Sequence, residues 1–220
     1  LPVWTLVEYA SAMEGRSPAK AAVLDVRGLS VSRGERQLFA NLDLSVVAGQ
    51  VALLTGPNGT GKTTLLLALA GIVRPEAGEI AFPAHGGEDG TRPAMHLLGY
   101  QQGIKPRLTV LENLTFWRQV NGAGGLMPEA ALAETGIASL AALEAGHLSS
   151  GQLRRLALAR LLVTPRPIWL LDEPSATLDT AGEALLVRLI EAHRQGGGIA
   201  IIATGDEVIV VMRRHPMLND

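Results

Sequence analysis

Gly56, Pro57, Asn58, Gly59, Thr60, Gly61, Lys62, Thr63 and Thr64 set a cation and two hydroxyls directly behind a glycine-rich run. Glycines let consecutive backbone N–H groups turn inward on an anion, and a helix starting there adds its positive end. In that arrangement Lys62 reaches the β- and γ-phosphates of a nucleoside triphosphate, and the Thr63 hydroxyl holds Mg2+. A chance glycine turn would carry no such context. Here a compact apolar run, Val51 to Thr55, precedes the loop, and the apolar Leu65 to Leu69 follows it.

Two further segments could act on the same ligand. Ile168 to Leu171 is apolar and ends in Asp172, Glu173 and Pro174. An acid at the end of a buried parallel strand emerges beside a phosphate loop, where Asp172 supports Mg2+ directly or through water. Glu173 then orients and polarises the attacking water. Taken alone, Asp-Glu-Pro after a strand is an ordinary surface turn; the phosphate loop gives it a chemical reading. Leu148, Ser149, Ser150, Gly151 and Gln152 lead into a helix that carries Arg154 and Arg155. These small residues form either a plain helix cap or a helix start whose N–H groups and hydroxyls face a second nucleotide's γ-phosphate.

The elements that must position these residues alternate. Strands are expected at Val23 to Val26 and at Leu42 to Val46, with a turn at Gly34 between them, and then at Val51 to Thr55. A helix over Leu65 to Leu69 stops near Gly71, and Glu79 to Phe82 reads as an edge strand. The glycine-rich, acidic stretch from His85 to Arg92 reads as an exposed loop. Residues from about Thr109 to Ala145 read as helical, broken at Gly122 to Gly125 and at Gly136. A helix from Gly151 to Val163 ends before Pro165 and Pro167, and Ala181 to Arg194 is the last helix. Ile168 to Leu171 and Ile199 to Ala203 are buried strands. Strands alternating with helices imply an α/β fold: a mostly parallel sheet around the phosphate loop, an antiparallel β edge, and a helical lobe inserted over about 102–163.

Composition sets outer bounds. A chain of 220 residues with 47% hydrophobic residues is long enough for one sizeable core. A formal charge of -2 gives no expectation of nucleic-acid partners. With no cysteine, disulfides, thiolate metal sites and cysteine nucleophiles are excluded. No apolar run approaches the roughly 18 residues needed to span a bilayer. Residue 1 is Leu, Leu1 to Ser17 has no clear period, and Met13 is a candidate start. Residues 1–22 are therefore expected to be an extension outside the fold, disordered or artefactual. One domain is expected over 23–212, and a tail over 213–220.

In this order and spacing, the three segments resemble the ATP-binding-cassette ATPases. The family's signature loop is Leu-Ser-Gly-Gly-Gln, so Ser150 is a mild departure. Gln101, after Gly99 and Tyr100, fits the family's Q-loop, and Ser175 to Asp179 fits its D-loop. The resemblance spans about Val23 to Asp206. It implies a P-loop ATPase core and a head-to-tail homodimer, with each ATP between one chain's phosphate loop and the other's signature. Carried over, Lys62, Thr63, Gln101 and Asp172 serve one face of the nucleotide, with Thr63, Gln101 and Asp172 at Mg2+. Ser149, Gly151 and Gln152 serve the partner's nucleotide, Ser150 and Asp179 are further nucleotide-binding residues, and Glu173 is the base. The resemblance further implies membrane transporter subunits as partners, contacted around Gln101 to Leu108.

Two departures stand out. Where the family stacks adenine on an aromatic residue, this chain has Arg33-Gly34, and an Arg plane can stack instead. Where the family places a His after the last buried strand, Thr204 is followed by Gly205, and none of the five histidines falls there. Either hydrolysis is slowed while nucleotide binding survives, or the enzyme relies mainly on Glu173.

The runs Arg33 to Phe39, Gly103 to Leu114 and Ser149 to Arg160 resemble the ATPase of bacterial cytochrome c maturation, a family described as a haem exporter subunit. That resemblance implies a peripheral protein on the cytoplasmic face of the bacterial inner membrane. The ATPase of another small exporter, a soluble cassette protein and a weakly hydrolysing regulatory subunit are the alternatives. A soluble cassette protein of DNA repair or translation would need a coiled-coil insertion or a second cassette, and this chain has neither.

Overall fold

The structure is a computed structural model and describes residues 5–9, 22–34, 36–84, 93–99 and 103–205. Gln101 and the expected loop from His85 to Arg92 lie outside the described residues, as does the tail beyond Gly205. The chain forms two compact units. One comprises Leu1–Leu97, Pro167–Glu173 and Ile190–Asp220, and the other Leu98–Arg166 and Pro174–Leu189.

The first unit is built on sheets. β4 (Val51–Thr55) and β8 (Ile199–Thr204) are buried along their whole length, and β7 (Ile168–Asp172) is buried except at Asp172. Near-continuous apolar strands of this kind are what a parallel sheet covered on both faces requires. β4 pairs with β8, and β8 with β7, all parallel. The register sets Thr55 opposite Thr204 and Asp172 opposite Ala203, so the three strands end level with one another. The full sheet runs β1-β4-β8-β7-β6, with β6 at Met95–Leu98. At its other edge β1 (Thr5–Tyr9) pairs antiparallel with β4, from Thr5 opposite Thr55 to Tyr9 opposite Val51. Residues 5–9 thus join the sheet, which corrects the expectation that the whole stretch before Val23 stands outside the fold.

A second, antiparallel sheet runs β3-β2-β5, from β2 (Ala22–Arg33), β3 (Arg36–Val47) and β5 (Ala77–Ala81). β2 and β3 are longer than the apolar runs that announced them, because their ladder continues through polar pairs to Arg33 opposite Arg36. Leu24, Leu29, Phe39, Leu54, Leu66 and Leu170 belong to one core with helix α1 (Lys62–Leu69), whose residues Leu65, Leu66, Ala68 and Leu69 are all buried.

The second unit is helical. α2 (Val110–Asn121) opens on a capping box in which the Thr109 hydroxyl accepts from the Glu112 amide and the Glu112 carboxylate accepts from the Thr109 amide. The Thr109 bond to Glu112 holds that carboxyl below the usual carboxylate range. α3 (Pro128–Glu134) starts on a proline, whose missing N–H costs nothing in the first turn. α4 (Ser150–Val163) packs with both around Val110, Leu114, Leu132, Leu156 and Val163. The expected helical stretch runs on past the break at Gly136 to Ala145, but the residues between α3 and α4 are not α-helical. They form instead two single-turn 3-10 segments, Ala138–Leu140 and Ala145–His147, and a bridge of Thr109 to Glu144. Amides of Val110, Leu111, Ala145 and Gly146 pair with carbonyls of Leu143, Ala141, Leu108 and Pro106, zipping the two loops together. α5 (Thr180–Gln195) completes the described helices.

Candidate active site

The level ends of β4, β7 and β8 bring three loops together within the first unit. β4 runs into Gly56–Gly61, β7 into Glu173, and β8 into Gly205. Gly61 caps α1 at φ 101, a left-handed backbone in which a side chain would be strained. A Cβ there would also lie 3.2 Å from that of Leu38 on β3, so the loop sits hard against the antiparallel sheet.

Lys62 is buried, and its ammonium donates to the carbonyls of Gly56 at 2.5 Å and Pro57 at 3.2 Å. The cation is thereby held at the rim of the glycine-rich loop. The Thr60 hydroxyl donates to Pro57 O at 2.9 Å and closes the loop on itself. Thr63 Oγ1 donates to Asp172 Oδ2 at 2.8 Å, joining α1 to the end of β7 across 109 residues of sequence. A hydroxyl and a carboxylate side by side are a hard-oxygen pair of the kind Mg2+ selects, so these two residues fit that ion. Once bound, Mg2+ would neutralise phosphate charge there. Among the described residues there is no cluster of three or more His, Asp or Glu that could hold a metal without help from a ligand.

Glu173 follows Asp172 with its backbone in the left-handed region at φ 46. For a non-glycine residue this is a strained conformation, and such strain concentrates at functional sites. Its amide donates to Ala203 O at 2.8 Å, which fixes the turn beside the end of β8. Thr204 is fully buried, and its hydroxyl donates to Gly205 O at 2.9 Å. A Cβ on Gly205 would meet nothing within 4 Å, so the backbone does not require glycine there. Arg33 is exposed at the end of β2, beside the turn at Gly34.

The second unit gathers Ser149, Ser150, Gly151, Gln152 and Asp179. Ser149 caps α4: its hydroxyl accepts from the Gln152 amide at 3.3 Å, and Gln152 Oε1 accepts from the Ser149 amide at 2.9 Å. A Cβ on Gly151 would lie 2.9 Å from the carbonyl of Thr177, itself a non-glycine residue at φ 70. Glycine at 151 is therefore demanded by the close approach of the 175–179 segment. Arg155 donates to Asp179 Oδ1 at 2.7 Å and to Thr135 O at 3.1 Å, while Asp179 also accepts from the Gly182 amide. The Arg155 bond first, and the Gly182 bond second, hold the Asp179 carboxyl below its usual range. No sequence signal singled out Arg155 for this contact. The Thr-x-x-Glu spacing at Thr109 was a readable sign of the cap on α2.

A family profile described as ABC transporter matches residues 39–176. The cytochrome c biogenesis ATP-binding export protein CcmA of Rhodopseudomonas palustris (strain BisB5) is 45% identical over 192 residues, covering 86% of this chain and 95% of that protein. CcmA of Agrobacterium fabrum is 42% identical over 187 residues, covering 82% of this chain and 88% of that protein. Among solved structures, a nucleotide-free ATP-binding cassette from an ABC transporter superposes with a TM-score of 0.69 at 22% identity, over 86% of this chain and 84% of that one. With that profile matching more than half of its length and CcmA similar over most of both chains, this chain belongs to the ABC transporter family, as an ATP-binding-cassette ATPase.

Proposed function

We propose that this chain is the ATP-hydrolysing subunit of the haem exporter complex of cytochrome c biogenesis, working on Mg2+ and ATP at the cytoplasmic face of a bacterial inner membrane. The similarity to CcmA over most of both chains carries this reading. Lys62 and the loop amides bind the phosphates, and Thr63 and Asp172, with Gln101, hold the cation. Glu173 takes a proton from the attacking water, and Arg33 stacks on the base. The signature residues Ser149 to Gln152, with Asp179, act on the nucleotide of a second copy in a head-to-tail homodimer. Support for the division comes from chain organisation. Phosphate loop, Asp172 and Glu173 belong to one compact unit, and the signature and Asp179 to the other.

The subunit reaches the membrane through partners. No helix among the described residues is long and apolar enough to cross a bilayer. Support for a docking region around Gln101 to Leu108 comes from a cavity of about 730 Å3 in the helical unit, bordered by Gly103, Ile104 and Pro106 together with Ser150, Leu153 and Thr177. Its size is that of an ordinary ligand or side-chain socket.

Purification of the tagged chain from gently solubilised native membranes, followed by mass spectrometry, tests the assignment. Cytochrome c maturation membrane subunits are expected with it. A different permease would replace the haem reading with another exporter, and no membrane protein at all would favour a soluble cassette protein.

A further inference from the structure

The segment that borders the cavity is fastened at both of its ends. Trp117 Nε1 donates to the carbonyl of Gly103 at 3.1 Å. Over the same indole lies the guanidinium of Arg160, 4.8 Å from the ring centroid. Gly103 is wedged between them. A Cβ there would stand 2.7 Å from Arg160 Nη1 and 2.9 Å from the Trp117 ring, on a backbone at φ +64. Arg160 is buried, and burial lowers its pKa to about 10, so it stays cationic at neutral pH and keeps its attraction for the indole face.

Farther along, Asn113 clasps the same segment. Its Oδ1 accepts from the Lys105 amide at 2.8 Å, and its Nδ2 donates to the carbonyls of Lys105, Leu108 and Thr109 at 3.0, 3.2 and 3.0 Å. The Gly146 amide donates to Pro106 O at 2.8 Å and the Ala145 amide to Leu108 O at 2.9 Å, only a few residues before Ser149 caps α4. The segment is thus tied to α4 twice, through Arg160 well along the helix and through Ala145–Gly146 just ahead of it.

We propose that Trp117 and Arg160 are positioning residues that lock the Gly103–Thr109 segment to α4, so that a load placed on the segment displaces the signature-bearing helix as one body. The inference rests on the reading that a membrane partner docks against this segment and that the signature serves ATP. The joint converts contact at the cavity's edge into movement of Ser149 and Gln152.

Amide exchange on the purified chain tests the joint without any partner. Trp117→Leu removes both the ring and its N–H, and is expected to speed exchange about tenfold at Lys105, Leu108, Ala145, Gly146 and Gln152. Amides of β4 in the other unit should not change. Trp117→Phe, which keeps a ring under Arg160, should fall between parent and Leu. Faster exchange confined to Lys105 and Leu108, with Gln152 unmoved, would overturn the proposal. Should Trp117→Leu fail to fold, Trp117→Phe and Arg160→Lys decide by the same amides. In complexes purified with the membrane subunits, Trp117→Leu should abolish partner-stimulated hydrolysis and leave the isolated chain's rate within about twofold. Retained stimulation, or an equal fall in both rates, would also overturn it. If no membrane subunit accompanies even the parent chain, the docking reading fails while the exchange result still decides the joint.

Discussion

Thr63 and Asp172 offer a quantitative test of the site, because a single hydrogen bond joins residues from two elements. Thr63→Val keeps the branched shape and removes the hydroxyl; Asp172→Asn keeps the shape and removes the charge. A hydrogen bond to a charged group contributes about 1.5–3 kcal/mol. Since Thr63 is exposed, the lower end applies, or about tenfold in affinity. If both oxygens serve the same Mg2+, each single variant should weaken Mg2+–ATP binding about tenfold or more. The double variant should then bind about as Asp172→Asn alone does, since the second loss removes nothing that remains. Titration calorimetry with ATP, in Mg2+ and again in EDTA, reads both quantities. In EDTA Thr63→Val should lie within about twofold of the parent, because the hydroxyl then has no cation to hold. Losses that multiply in the double variant, or a Thr63→Val defect as large in EDTA as in Mg2+, would refute the shared-cation argument.

Gly205→His should raise the hydrolysis rate about tenfold with little change in ATP affinity, since a Cβ there would meet nothing within 4 Å among the described residues; an unchanged rate would show that Glu173 suffices. Asn113 is fully buried with four hydrogen bonds, so Asn113→Ala should cost about 3 kcal/mol and lower Tm by about 6 °C or more, read by calorimetry. His193 stacks on Trp169 at 4.0 Å, and burial, outweighing its bonds to the Ile199 and Pro167 carbonyls, holds its pKa below 6.5. The unfolded chain therefore takes up this proton more readily, so the contribution of neutral His193 is complete above about pH 6.5 and is lost as pH falls toward the lowered folded value. His193→Phe should lose less stability than the parent between about pH 7.5 and about pH 5.5 in urea titrations.

How legible these features were depends on whether the signal was local. β4, β7 and β8 stood out because a strand buried on both faces must be apolar throughout, and Val51–Thr55 is just such a run. The glycine-rich loop after β4 and the acids after β7 stand out in sequence as candidates because the chemistry proposed for them demands fixed residue types at fixed spacing. β1 was not, because residues 5–9 carry no period of their own and owe their conformation to pairing with β4. The length of β2 and β3 was missed for a related reason: solvent-facing ladder positions such as Arg36 and Gln37 are polar and resemble a loop. Nothing in the local sequence marks Asn113 for burial. Only the return of the Lys105–Thr109 backbone explains why a polar amide is fully buried there.

The signature segment illustrates why its two possible readings, cap and ligand site, need not compete. In the capping box the Ser149 hydroxyl is used as an acceptor, which leaves its proton free to be donated outward. Gln152 likewise accepts through Oε1 and retains its amide hydrogens as donors. Each cap bond therefore consumes an acceptor and spares a donor, and donors are what an anion requires. The α4 N-terminus adds its unpaired amides and positive end. Gly151 keeps the surface low where Thr177 O approaches, while Arg155 restrains Asp179 within the same unit. If a phosphate binds there as proposed, a cap so constructed orients donors before it arrives, which would lower the ordering cost of binding. On the proposed head-to-tail arrangement that phosphate belongs to a second copy's nucleotide. ATP should therefore act as the link between chains, and loss of its γ-phosphate should release the donors that the cap had already aligned.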